Sequence, residues 1–175
     1  MRAIGLMLAV IIAAVAAPPD SGLEWGAVSS GVRLGIGLGP STPQPMLRLV
    51  FENTAAQEVQ IPLGGTTVKG PLYNLLFRIK SPAGKESSLF DFSGPTGTHM
   101  KVEPLVARLA RGQKYEILMP LDKLVFLDHG KNRLLPELLA AHYSVRAILD
   151  TTGDPREVHS FAIWAGAVSS GQLKK

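Results

Sequence analysis

Leu47-Arg48-Leu49-Val50-Phe51-Glu52-Asn53 is the stretch on which the reading of the fold turns. Leu47, Leu49 and Phe51 stand two residues apart, with charged Arg48 and Glu52 at positions of the other parity. Period two is the signature of a strand with one buried face. Glu52-Asn53-Thr54 then offers turn chemistry. Upstream, Val32, Leu34, Ile36 and Leu38 alternate with Arg33, Gly35 and Gly37, and Pro40, Pro43 and Pro45 separate the two segments. Downstream the pattern returns at Val59, Ile61 and Leu63, at Tyr73, Leu75, Phe77 and Ile79, at Tyr115, Ile117, Met119 and Leu121, and at Tyr143, Val145, Ala147 and Leu149.

Between these lie turn signals: Gly64-Gly65, Ser81-Pro82-Ala83-Gly84-Lys85, Arg111-Gly112-Gln113 and Thr151-Thr152-Gly153-Asp154-Pro155. Leu89, Phe90 and Phe92 suggest a short strand before the loop Ser93-Gly94-Pro95-Thr96-Gly97. Residues 102–109 read as a strand that Pro104 places at a sheet edge. Pro136, near a possible helix start, allows one short helix at about 134–141. A last strand is expected over 158–173, bent at Gly166. The expectation is an all-β chain, an immunoglobulin-like antiparallel β-sandwich of about seven to nine strands, with a closed barrel as its competitor.

The 175 residues suit one domain, and a chain of that length buries about 70% of its unfolded surface without needing a metal or disulfide. It has no cysteine, which removes thiol nucleophiles, zinc–thiolate sites and disulfides together. The net charge is +4, but Lys and Arg are interleaved with Asp and Glu, and aromatics do not punctuate a basic run. A nucleic-acid groove is therefore not expected.

The first residues form a separate unit. Met1-Arg2 is followed by an apolar, uncharged run over 3–15, and Ala14-Val15-Ala16 supplies small residues around a cleavage point. That is the three-part layout of a secretory signal peptide. The alternative, an uncleaved anchor, is short of the ~20 residues that cross a bilayer. The expected organisation is a signal peptide at 1–16, a linker at 17–22 and a single domain at 23–175. After cleavage no stable membrane insertion is expected, and the protein would be periplasmic or secreted.

The two ends of the domain nearly repeat. Trp25-Gly26-Ala27-Val28-Ser29-Ser30-Gly31 returns as Trp164-Ala165-Gly166-Ala167-Val168-Ser169-Ser170-Gly171. One reading is a paired Trp platform for a sugar. The other is structural: the first and last strands lie together, the two Trp close the core, and the small residues let backbones approach.

Tyr143, opening the next-to-last expected strand, resembles the tyrosine corner of immunoglobulin-like domains. The resemblance implies a hydroxyl bonded back to upstream backbone, and puts Val145 where antibody domains carry a core cysteine. An ordinary strand Tyr is the alternative. Both antibody cysteines and the Trp of the third strand are missing. The Trp25-Gly26 opening, its alternating strand and the 47–53 segment are similar to exported bacterial immunoglobulin-like domains of unassigned activity. That likeness spans most of the chain after the leader and carries over no site residues.

Motifs for chemistry are sparse. Gly-x-Ser-x-Gly is absent. His99, His129, His142 and His159 have no ligand spacing. Asp150-Thr151-Thr152-Gly153-Asp154 lacks the later ligands of a calcium loop and reads as a turn. Gly35-Ile36-Gly37-Leu38-Gly39 has the wrong spacing for a dinucleotide loop. No catalytic, cofactor-binding or metal residue is assigned, and no cofactor is expected. The expected function is a non-catalytic extracytoplasmic binding or scaffolding module for a protein or polysaccharide of the cell envelope. One alternative is an inhibitor or accessory subunit of an envelope enzyme, inserting the loop at 93–99. Another is a hydrolase with dispersed carboxylates.

Overall fold

The computed structural model describes residues 20–66, 74–89, 103–128, 131–152 and 164–174. The signal-peptide segment, the loop at 93–99, His99, His129 and His159 lie outside them.

The chain is all-β, with twelve strands, one 3-10 turn (Leu121–Lys123) and one short α-helix among the described residues. In chain order the strands are β1 (Leu23–Trp25), β2 (Val32–Leu38), β3 (Met46–Asn53), β4 (Val59–Thr66), β5 (Leu75–Lys80) and β6 (Glu86–Leu89). They continue as β7 (Glu103–Leu109), β8 (Lys114–Pro120), β9 (Val125–Asp128), β10 (Lys131–Leu134), β11 (Ser144–Asp150) and β12 (Ala167–Ser169). Helix α1 (Leu135–Ala140) falls inside the expected 134–141 window. The strands form four antiparallel sheets: β1-β2-β3-β8, β12-β11-β5-β6, β4-β7 and β9-β10.

This corrects the expectation of about seven to nine strands. Leu23–Trp25 spans only three residues, too few to show a period, and becomes a strand by pairing with Gly35–Gly37 of β2. The β9-β10 hairpin lies in a stretch whose sequence offers only a hint of helix, and it has no clean apolar alternation: Phe126 is buried, while Lys131 and Asn132 are exposed. β4 runs through Gly64-Gly65, where a turn was expected, because an irregularity between Pro62 and Gly64 keeps it paired with β7. Pro104 lies on β7, whose one partner among the described residues is β4, in keeping with the expected edge position.

One core joins the sheets. Leu34, Ile36, Leu49 and Phe51 of the first sheet share it with Phe77, Ile79, Ala147 and Leu149 of the second. Ile61, Leu63, Ala107 and Leu109 enter from β4-β7, and Leu135, Leu138 and Leu139 from α1. Each large side chain buried here contributes about 1.5–3 kcal/mol. The Leu47–Asn53 stretch sits at the centre of the first sheet, between β2 and β8.

Four small sheets around one core leave backbone groups unpaired wherever the chain changes partner. Buried polar side chains meet them. The Asn74 amide donates to Pro62 O at 3.0 Å, tying β5 to β4. The Thr151 hydroxyl reaches Gly166 O at 3.1 Å and accepts from Gly166 N at 3.0 Å. Between Ile148↔Ser169 and Val145↔Leu173 the final strand carries one extra residue against β11. There the Ser170 hydroxyl accepts from Ala147 N at 2.9 Å.

Helix α1 begins with Pro136 in its first turn and the Glu137 carboxylate accepting from Leu134 N at 3.3 Å. It ends in a Schellman motif, with Tyr143 N bonded to Leu138 O at 3.0 Å and His142 N to Leu139 O at 3.1 Å. His142 occupies the left-handed position, φ +61°, that glycine normally takes. Replacing His142 by Gly is expected to raise stability by about 0.5–1 kcal/mol, since the strain removed exceeds the added freedom of the unfolded chain. A urea titration checks this; a lower midpoint would mean that the imidazole holds contacts the backbone argument ignores.

Candidate functional site

The repeated ends come together, as the structural reading expects, and Trp164 joins the core, but Trp25 does not close it. Gly171 N donates to Glu24 O at 3.0 Å. A Cβ on Gly26 would lie 1.7 Å from Ser169 O, so the two copies meet backbone to backbone. Trp164 is buried, and its indole N–H donates to Ser30 O at 3.2 Å. Ser30-Gly31 forms the two-residue turn into β2, with φ +45° and +79°, and Ser29 and Val32 exchange backbone bonds of 2.8 and 2.9 Å. These are the features of a tight primed hairpin. Trp25 is half-buried on the other side of the first sheet. Its ring rests on Gly35, with the Arg33 guanidinium 4.2 Å and the Lys114 ammonium 5.7 Å from its centroid. The two rings therefore share no face, and a paired Trp platform is not formed.

Tyr143 is held by its backbone and packs against the core, with the Arg133 guanidinium 5.5 Å from the ring. Its hydroxyl has no hydrogen bond among the described residues, so the corner contact implied by the resemblance is not made there. Asp150 acts as a turn residue. It accepts from the Thr152 hydroxyl at 2.6 Å and the Thr152 amide at 3.0 Å. Those two bonds, the hydroxyl first, hold its carboxyl below the ordinary carboxylate range. A proton donor for glycoside hydrolysis needs the opposite shift. No group of three or more metal-ligating side chains occurs among the described residues.

Register sets the chemistry of the two large outer faces. On the first sheet, Arg33, Glu52 and Lys114 stand side by side on β2, β3 and β8. Arg33 pairs with Glu52 at 2.6 Å, Arg48 with Glu116 at 3.2 Å and Lys114 with Asp20 at 2.6 Å. Opposite charges alternate across this face, and it neutralises itself.

The outer face of the second sheet is different. Leu76, Arg78 and Lys80 succeed one another along β5, all exposed. Arg78 stands directly opposite Arg146 of β11. Like charges placed so are destabilising by about 0.2–1 kcal/mol. Arg146 is relieved by Glu86 of β6 at 3.2 Å. Arg78 and Lys80 have no ion-pair partner among the described residues. Arg78, Lys80, Glu86, Ser144, Arg146 and Gln172 line a shallow surface groove that is open to solvent, and Leu76 continues the same face of β5. Sequence reasoning missed this groove. Arg78 and Arg146 look like ordinary polar positions of two separate strands, and only the β5-β11 register makes them neighbours.

Comparison with protein-family models, with curated proteins and with solved structures finds no match. The second-sheet groove thus stands on its own geometry as the candidate site.

Proposed function

We propose that this chain is an exported, non-catalytic binding module with an immunoglobulin-like sandwich core, acting in the periplasm or outside the cell on a protein partner. The leader-like residues 1–16 support export, and the two four-stranded sheets sharing one core support the sandwich reading. The observation that carries the binding role is the contrast between the two outer faces. Each face exposes a leucine, Leu118 at 43% and Leu76 at 50%, but the first pairs its charges among themselves while the second carries Arg78 and Lys80 with no ion-pair partner among the described residues. A surface that keeps a repulsive Arg–Arg pair beside an exposed leucine is suited to a partner. A protein is favoured over a polysaccharide because none of the described aromatic rings lies on that face to stack on a sugar. The inhibitor reading rests on the loop at 93–99, outside the described residues.

A photo-crosslinking amino acid placed at Leu76 tests the proposal in the cells that make the protein. A discrete protein adduct is expected from Leu76 and none from Leu118, which is 43% exposed on the first sheet. Absence of an adduct at Leu76, or equal adducts at both positions, would overturn it.

A further inference from the structure

We infer that the groove between β5 and β11 receives an extended acidic segment of the partner protein, with Glu86 as a built-in competitor for it. The inference rests on the protein-binding reading above and adds the chemistry of the ligand. Leu76, Arg78 and Lys80 point from the same face of one strand, two residues apart. Side chains on one face of a strand repeat every ~6.4–6.8 Å, and so do those of an extended peptide lying along it. The matching partner sequence is an apolar residue followed by acidic residues at alternate positions.

The apolar residue meets the step formed by Leu76 and its cross-strand neighbour Ile148. The first carboxylate meets Arg78 and Arg146 together. Guanidinium forks bind carboxylates with two parallel bonds, so a bound carboxylate turns the repulsive pair into a clamp. The second carboxylate meets Lys80. Glu86 stands opposite Lys80 in register and already holds Arg146. It supplies one carboxylate to a site with three cations, enough to keep Arg146 paired in the free protein and too little to fill the groove.

The test uses a fluorescein-labelled peptide, Leu-Ser-Glu-Ser-Glu, and its Gln-for-Glu counterpart, read by anisotropy at low and moderate salt. The acidic peptide is expected to bind and to weaken as salt rises. Arg78→Gln is expected to weaken it about ten-fold and Glu86→Gln to tighten it about three-fold, with the Gln peptide not binding. The Arg78 side chain makes no ion pair or hydrogen bond among the described residues, so R78Q should unfold at the wild-type midpoint or slightly above it. Equal binding of both peptides, or an R78Q affinity unchanged from wild type, would overturn the inference. Arg78-dependent binding of polygalacturonate in preference to the peptide would also overturn it and assign the groove to an acidic glycan. Failure here is separable from failure of the binding role. A Leu76 photo-adduct that persists in the R78Q/R146Q variant keeps a protein partner and removes the acidic segment.

Discussion

Gly26→Ala is expected to destabilise the domain by ~3–5 kcal/mol, a large part of the stability of an ordinary domain. The cause is steric. The added methyl would sit 1.7 Å from Ser169 O, and both the obstacle and its neighbours are backbone, which cannot rotate away as a side chain can. Relief requires moving β12 from β1, and that strains the Gly171 N–Glu24 O bond. The indole bond from Trp164 to Ser30 O, at 3.2 Å, lies along the same seam. The neighbouring Ala27 is exposed, so Ala27→Ser serves as a control and should stay within about 0.5 kcal/mol of wild type. Equilibrium urea unfolding of both variants decides the matter. A Gly26→Ala domain as stable as wild type would show that the seam has slack.

Asn53→Ala is expected to cost about 3–4 kcal/mol. Asn53 is fully buried where β3 leaves its sheet. Its side-chain amide donates to Gln57 O at 2.7 Å and Leu109 O at 2.9 Å, and its carbonyl accepts from Ala55 N at 2.8 Å. Its backbone adds Gln113 O at 3.1 Å and Gly112 N at 2.8 Å. One residue thus fixes the path into β4 and the turn between β7 and β8. Removing the amide leaves the buried Leu109 carbonyl without that donor, and an unmet buried group costs about 1–3 kcal/mol by itself. Asn53→Asp sharpens the test. The new carboxylate can still accept from Ala55 N but cannot donate. Buried without a counter-charge, it would titrate above the ordinary carboxylate range. The variant should therefore gain stability as pH falls through that raised value, because only the protonated form can donate. Equal unfolding midpoints for Asn53→Ala and wild type would remove Asn53 as the keystone of this corner.

The long strands were legible because each buries one face and repeats with period two. β2, β3, β5, β8 and β11 fall where the alternation of Val32, Leu47, Leu75, Tyr115 and Val145 places them. The short ones were less so. β1 is three residues long and is ordered by pairing with distant chain that no local pattern reports, while β12, also three residues, falls within the strand expected over 158–173 but is much shorter among the described residues. Asn53 was readable as a turn residue, which understates it, since its value lies in a carbonyl contributed by Leu109. The repeated ends show a second limit. Ser-Ser-Gly makes a tight hairpin at 29–31, yet at 169–171 it passes beside β11 with a serine hydroxyl patching the ladder. Identical residues adopt different geometry because their partners differ. The groove was the least legible feature, since its meaning resides in two arginines that become opposed only after the second sheet has formed.

The seam between the two ends also orders events in time. Ser30 and Trp164 are 134 residues apart in sequence, and the bond between them cannot form until nearly the whole domain has been synthesised. Contacts of such separation make folding slow, because a long loop must close before they stabilise anything. A nascent chain that stops short of Trp164 has β1 without its Gly171 neighbour and Gly26 without its strand. The segment around Trp164 and Gly171 is thus the latch of the domain, and it closes only after the strands it joins are in place.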